Sequence, residues 1–274
     1  MNIGIIGTGN MGNILIDACI EARAVKPSCL TIINRTFAKA YHIKEKYPSI
    51  HIAKTIQEVI ERSELIFICV KPFDIYPILT KHASILTNDK CLVSITSPIS
   101  TVQLETIVSC HVARIIPSIT NRALAGVSLC TFGKNCSQEW KTLLLKLVQK
   151  ISKPVVIEEN ITRVASDIAS CGPAFFSYLL QRFIDATVEE TNITREEATI
   201  LTSEMIIGMG KLLEKQIFTL PTLQEKVCVK GGITGEGIRV LEEHVGDMFN
   251  KVLKRTHEKY EEDIEHVEQQ FNKH

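Results

Sequence analysis

The chain carries no charge excess to offer a polyanion: 31 lysines and arginines are matched by 31 aspartates and glutamates over 274 residues. Binding of nucleic acid through a global basic field is not expected. No uninterrupted apolar run is long enough to span a bilayer, so no membrane association is expected. The N-terminus lacks a basic region, and glycines cut its first apolar segment, which argues against a secretory leader. The nine cysteines, an odd number, include no C-x-x-C pair. A disulfide framework or zinc site is therefore not expected, and a cytoplasmic, reducing location is. The eight histidines show no H-E-x-x-H spacing, so no catalytic metal is expected. What is present, 45% hydrophobic and 23% charged residues, is ordinary for a soluble globular protein. The length leaves room for two domains.

The first dozen residues carry the most information. Asn2–Ile6 is a short apolar run bounded by glycine, Gly7-Thr8-Gly9-Asn10-Met11-Gly12 is a full G-x-G-x-x-G, and Ile14–Ile20 reads as helix. Strand, tight glycine turn and helix is the context in which this motif binds a dinucleotide. Gly7 permits the turn, Gly9 leaves room for a pyrophosphate, and Gly12 lets helix pack on strand. The amides and dipole at the helix start favour the phosphate. The bland alternative is an ordinary glycine turn between core elements.

Leu30–Ile33 reads as the second strand. NAD-binding folds place an acid near the end of that strand to grip the ribose hydroxyls; here Asn34, Arg35 and Thr36 follow instead. An arginine there suits a 2′-phosphate, because its planar fork binds phosphate bidentately. NADPH is therefore expected, with NADH as the alternative, unless Arg35 is a solvated strand-end cation. Leu65–Val70 is a continuous apolar run, as in a strand buried on both faces, and leads into Lys71-Pro72. Ligands of open α/β sheets bind at the carboxyl ends of strands, so Val70, Lys71 and Pro72 are placed to line a cofactor. Alone, such a lysine is more often just a charged strand end. Cys91–Thr96 repeats the pattern, and its Ser94 and Ile95 occupy the corresponding edge. Further strands are expected over Val112–Pro117, 126–132 and 155–157, alternating with helices over 37–46, 56–62 and 138–151. The fold class is α/β: a doubly wound parallel sheet over residues 1–158, followed by an all-helical domain over 159–274.

In that second part the strand pattern stops. Helices are expected over 161–170, 175–190, 195–216 and from Leu220-Pro221, with Cys171-Gly172-Pro173 breaking or restarting the first. Residues 247–271 spread Phe249, Val252, Tyr260, Ile264, Val267 and Phe271 through charged sequence, whose charged faces read as solvated surface. Long apolar stripes predict a homodimer built on these helices; a closed monomeric bundle is the alternative. A chain ending near Glu158 is expected to stay folded, bind cofactor and be monomeric. Lys230-Gly231-Gly232-Ile233-Thr234-Gly235-Glu236-Gly237 precedes a helical run. Its amides, from Gly231 onward, are placed to cradle a small carboxylate, or the stretch is a flexible loop.

Taken in order, these pieces resemble the pyrroline-5-carboxylate reductase family along essentially the whole chain. The resemblance rests on Gly7–Met11, Val70-Lys71-Pro72, Ser94-Ile95 with Ile99-Ser100, and Arg114–Pro117. It continues through Gly172–Phe175 and Gly231-Gly232 with Thr234 and Leu241-Glu242. A branch of the family is matched by the wording of Ser94–Pro98, Ile116–Arg122, Ser170–Phe175 and Val229–Gly232. The resemblance implies an N-terminal Rossmann domain, a C-terminal helical dimerisation domain, and a homodimer or higher oligomer. It also implies NADPH-dependent reduction of a small cyclic imino acid, 1-pyrroline-5-carboxylate, to L-proline. Thr234 matches the family threonine whose hydroxyl faces the imine nitrogen, and Gly231-Gly232 matches the carboxylate cradle.

The departures lie mostly around the substrate. The family's Ser-Pro-Gly-Gly-Thr-Thr has Val229, Lys230 and Ile233 in place of its serine, proline and first threonine. Val229 removes a hydroxyl and Lys230 adds a cation. Ser97-Pro98 stands for Ala-Gly, Pro117-Ser118 for Pro-Asn, and Ser170-Cys171 for the Gly-Ser before Gly172-Pro173. Ile56 stands where an asparagine is usual. These changes leave a second expectation open: a reductase-like, nucleotide-binding regulatory protein with little turnover.

Overall fold

The computed structural model describes residues 1–271. Compactness divides the chain into two units: residues 1–173 together with the chain from Thr256 onward, and residues 174–255. Both boundaries fall inside helices, Gly172–Glu190 and Met248–Phe271, rather than in linkers.

The first unit is built on one eight-stranded sheet. Its strands are β1 (Ile3–Ile6), β2 (Leu30–Ile33), β3 (His51–Ile52), β4 (Leu65–Ile68), β5 (Cys91–Ser94), β6 (His111–Ile116), β7 (Val127–Phe132) and β8 (Lys153–Val156). They lie in the order β3-β2-β1-β4-β5-β6-β7-β8. The helices of this unit are α1 (Asn10–Glu21), α2 (Phe37–Lys46), α3 (Ile56–Glu61), α4 (Pro72–His82), α5 (Thr101–Glu105), α6 (Gln138–Gln149) and α7 (Thr162–Ser166). Neighbours from β3 through β6 pair in parallel.

The sheet is mostly parallel, as expected, and departs from that at one place: β7 runs antiparallel to β6, and β8 is parallel to β7. The β6–β7 connection holds only a short 3₁₀ turn, Ile119–Ala123. A parallel pairing needs a longer crossover. The helix α6 supplies one between β7 and β8, and those two strands are parallel.

Alternation along the strands divides the core into two layers. Ile5, Ile32, Phe67, Val93 and Ile115 point into the cluster that holds Leu15, Ile16 and Leu147 from α1 and α6. Ile6, Ile66, Ile68, Leu92 and Val112 point into the opposite cluster, with Val59, Ile75 and Leu79 from α3 and α4. The helix α7 passes through a π turn, Asp167–Cys171, into α8 (Gly172–Glu190). Pro173 has no N–H to continue the ladder, and the π turn is where that loss is absorbed.

The remaining helices are α9 (Arg195–Glu214), α10 (Leu220–Val227), α11 (Ile233–Val245) and α12 (Met248–Phe271). The end of α12 belongs to the first unit. Val267 is 0% exposed and sits in the second core layer, with Phe271 packed beside it, and the rings of Tyr76 and Phe271 meet at 4.9 Å. This burial weighs against the expectation that a chain ending near Glu158 stays folded. That truncation strips Val267 from a closed core and exposes apolar surface at about 25 cal/mol per Å².

Candidate functional site

At the carboxyl ends of β1, β2 and β4 a cavity of about 850 Å³ opens. This is the place at which an open α/β sheet binds its ligand, beside the point where strand order reverses. The three motif glycines divide their work there. Gly7 has φ +100°, and a Cβ on it would lie 2.6 Å from the Cys69 carbonyl oxygen. A Cβ on Gly12 would lie 2.2 Å from the Gly7 carbonyl oxygen. Both positions therefore need glycine for the chain's own packing. A Cβ on Gly9 would meet nothing within 4 Å, yet Gly9 lines the cavity. The space at Gly9 is left for something outside the chain.

Gly9 is also the N-cap of α1, with no side-chain cap and no acid in the first turn. The leading N–H groups of that helix are thus offered to an anion. The buried Thr8 hydroxyl has no hydrogen-bond partner among the described residues. Asn10 is exposed and Met11 half-buried. These features fit the pyrophosphate of a dinucleotide.

The side chain of Asn34 is committed to bracing. Its Oδ1 accepts from the Thr8 N–H at 3.0 Å and its Nδ2 donates to the Thr36 carbonyl at 3.0 Å. It therefore ties the glycine loop to the β2–α2 turn. Arg35, Lys39, Lys54 and Lys71 line the cavity, against one acid, Asp74. None of these four cations is among the ion pairs of the described residues. Lys39 and Lys54 went unread in the sequence. The signal was present: Lys39, in the first turn of α2, lies four residues after Arg35, and Lys54 follows β3.

Val70 and Lys71 line the same wall, while Pro72 occupies the first turn of α4. Ser94 and Ile95 do not line this cavity. Ser94 is fully buried; its hydroxyl lies 3.2 Å from that of Thr96 and accepts the Thr96 N–H at 3.3 Å. Ile95 packs on the core.

A second feature was missed as a centre. Arg114, on β6, is 1% exposed. Its guanidinium donates to the Ser97 and Ile99 carbonyls, to Glu159 at 2.9 Å and to Thr162 at 2.6 Å. Burial lowers its pKa, and the Glu159 carboxylate opposes that. An arginine inside the apolar run Val112–Ile116 was the available signal, since a buried charge must be paired.

In the second unit, Val229–Gly232 forms a tight turn. The Gly232 N–H donates to the Val229 carbonyl at 2.9 Å, and Gly231 has φ +74°, the position a type II turn reserves for glycine. Gly232 caps α11 without a side-chain cap, and Thr234 is the second residue of that helix. The expected cradle is narrowed by this turn: the N–H of Gly232 is spent within it. The N–H groups of Gly231, Ile233 and Thr234 have no recorded backbone partner among the described residues. Lys230 and Thr234 are exposed, and Ile233 is 92% exposed. Among the described residues of this unit only Ile184 and Ala198 are buried hydrophobics, while Phe176, Tyr178, Phe183, Leu201, Val240 and Leu241 are exposed.

Comparison with known proteins bears on both units. Residues 159–263 match the model for pyrroline-5-carboxylate reductase dimerisation, and residues 2–98 match that for NADP oxidoreductase, coenzyme F420-dependent. ComE operon protein 4 (ComER) of Bacillus subtilis is 58% identical over 99% of this chain and 100% of its own length. That likeness agrees with the branch wording of the four reworded motifs. The pyrroline-5-carboxylate reductase of Methanobrevibacter smithii is 30% identical over 88% of this chain and 97% of its own. The crystal structure of Plasmodium falciparum pyrroline carboxylate reductase with NADP bound superposes with a TM-score of 0.82 at 22% identity, covering 97% of this chain and 98% of that one. The glycine loop, the mostly parallel sheet, the helical second unit and this full-length identity together place the chain in the pyrroline-5-carboxylate reductase family.

Proposed function

We propose that the protein is an NADPH-dependent reductase of a cyclic imino acid, with 1-pyrroline-5-carboxylate and L-proline as substrate and product, acting in proline biosynthesis in the cytoplasm. The observation that carries this reading is the cavity beside Gly9, ringed by Arg35, Lys39, Lys54 and Lys71, in a chain of this family. The bound dinucleotide supplies the hydride for the C=N carbon. Gly9 and the first N–H groups of α1 hold the pyrophosphate. Arg35 grips the 2′-phosphate, with Lys39 and Lys54 adding to the field. In the second unit, Thr234 donates its hydroxyl proton in a hydrogen bond to the imine nitrogen. The N–H groups of Gly231, Ile233 and Thr234, with the Lys230 ammonium, hold the carboxylate. These groups orient and bind, which is most of what hydride transfer asks of a protein.

The test is chiral analysis of the product formed from NADPH and pyrroline-5-carboxylate. L-Proline is expected. Unchanged imine from every cyclic imino acid offered, by a protein that still binds cofactor, favours the second reading, a nucleotide-binding regulatory protein with little turnover. The replacement of three residues in the 229–233 turn speaks for that second reading, as does a 58%-identical relative named for an operon rather than a reaction.

Arg35→Asp is expected to weaken NADPH binding by about 1.5–3 kcal/mol, the range for a hydrogen bond to a charged group, and to spare NADH. Calorimetric titration of both cofactors checks it, and equal loss for both would show that Arg35 does not read the 2′-phosphate.

The assembly follows from the shortage of buried apolar side chains in residues 174–255. A unit with so small a core of its own needs further burial to be stable, and the matched dimerisation model supports a second copy as its source. Light scattering at micromolar concentration is expected to give twice the 30.7 kDa chain mass, or a higher multiple. A monomer would contradict this.

A further inference from the structure

We propose that Tyr260, midway along α12, is a positioning residue for the nicotinamide half of the cofactor site, an inference that rests on the reductase reading. Its hydroxyl fixes the loop that follows β5. The cavity beside Gly9 occupies the carboxyl ends of β1, β2 and β4, which accounts for one mononucleotide. A dinucleotide lies across the crevice at the switch point, so its other half runs over the carboxyl ends of the strands on the far side of β4, the nearest being β5. The loop leaving β5 is therefore the wall against which that half is set.

That loop is held from two sides at one atom. The Ser97 carbonyl oxygen accepts from Arg114 Nη1 at 3.1 Å and from the Tyr260 hydroxyl at 3.0 Å. A carbonyl has two lone pairs, and both are used. Pro98 follows and has no N–H of its own to anchor the segment. Arg114 is a fixed post, since its two terminal nitrogens also donate to Ile99, Glu159 and Thr162. Tyr260 is the second post. The Arg163 guanidinium stands over its ring at 5.5 Å and is itself paired with Asp167 at 2.6 Å. One turn earlier, the Thr256 hydroxyl donates to Asp167 Oδ2 at 2.8 Å. Burial raises the Tyr260 pKa, so the phenol keeps the proton it donates. A stretch of charged helix at the end of the chain thus reaches a cofactor-facing loop 163 residues earlier in sequence.

The test is amide hydrogen exchange of residues 94–100 in the full-length protein, wild type against Tyr260→Phe, with and without NADPH. Phenylalanine keeps the ring over which Arg163 stands and removes only the donor, so an unchanged melting temperature is expected. Exchange in this segment is expected to quicken roughly fivefold without cofactor, the weight of one ordinary hydrogen bond. NADPH is expected to protect the segment in wild type and to protect it less in Tyr260→Phe, with the NADPH dissociation constant changed by no more than about threefold because the Gly9 cavity is untouched. In steady state, kcat is expected to fall about three- to tenfold with little change in KM. Equal exchange in the two proteins would overturn the proposal, and so would faster exchange with undiminished protection by NADPH. Absence of turnover in wild type would defeat the reductase reading alone, and the exchange data would still decide the role of Tyr260.

Discussion

Gly12→Ala is expected to lose NADPH binding and stability together, whereas Gly9→Ala loses binding alone. A methyl group on Gly12 would stand 2.2 Å from the carbonyl oxygen of Gly7. That oxygen is backbone, in a loop already held by the Gly7 N–H to the Ile33 carbonyl at 2.9 Å, so no flexible side chain can give way. The loop or the start of α1 must shift, at a cost of about 1–3 kcal/mol. A helix end displaced from the pyrophosphate forfeits its N–H contacts, and affinity is expected to fall by at least about a hundredfold, the worth of one or two charge-assisted hydrogen bonds. Gly9 differs because a Cβ there meets nothing within 4 Å, and its φ of −72° is open to alanine. Gly9→Ala should melt as wild type does and bind NADPH roughly tenfold or more weakly, as the methyl group fills the space into which the phosphate must come. Thermal melts and calorimetric titration of both variants separate the two effects. Wild-type affinity in Gly9→Ala would show that the cofactor does not approach the chain there.

Thr234→Val should lower kcat by roughly ten- to a hundredfold, the range for one hydrogen bond that strengthens as charge develops. Valine keeps the shape and removes the hydroxyl, and Thr234 is exposed, so a folding defect is not the expected cause. Thr234→Ser, which keeps the donor, should retain most of the rate. Lys230→Ala should act on KM, because a carboxylate remote from the reacting bond is held alike before and during hydride transfer. Full kcat in Thr234→Val would remove the role given to that hydroxyl. A change in kcat but not KM for Lys230→Ala would mean that this cation acts on the reacting bond and not on the carboxylate.

The features legible in the sequence are those that local chemistry decides. The Gly7–Gly12 loop has one geometry that suits its spacing. Apolar runs such as Leu65–Ile68 read as strands because both their faces are buried. Arg35 could be singled out because an acid is the usual residue at that strand end.

What stayed hidden depends on distant partners. The apolar run Val127–Phe132 says strand but carries no sign of direction, which the short link from β6 sets. Val267 and Tyr260 lie in a stretch whose charged residues speak for solvent, and only the tertiary fold brings one into a core layer and the other to Ser97. Lys39 and Lys54 look like any solvated lysines until the cavity shows what they share. The Gly231-Gly232 pair suggested two free amides; the turn geometry withdraws that of Gly232 by bonding it to Val229. Asn34 and Ser94 stand where the sequence set them, yet their side chains serve the loops rather than an open face.

The proposed reaction is the reduction of a cyclic imine at the expense of NADPH. Its most direct test is the rate of NADPH oxidation by the purified full-length protein under saturating cyclic imino acids, pyrroline-5-carboxylate among them. Oxidation well above the rate without protein is expected for at least one of these imines, with NADPH favoured over NADH. Oxidation no faster than that background for every imine, from a protein shown by calorimetry to bind NADPH, would contradict it.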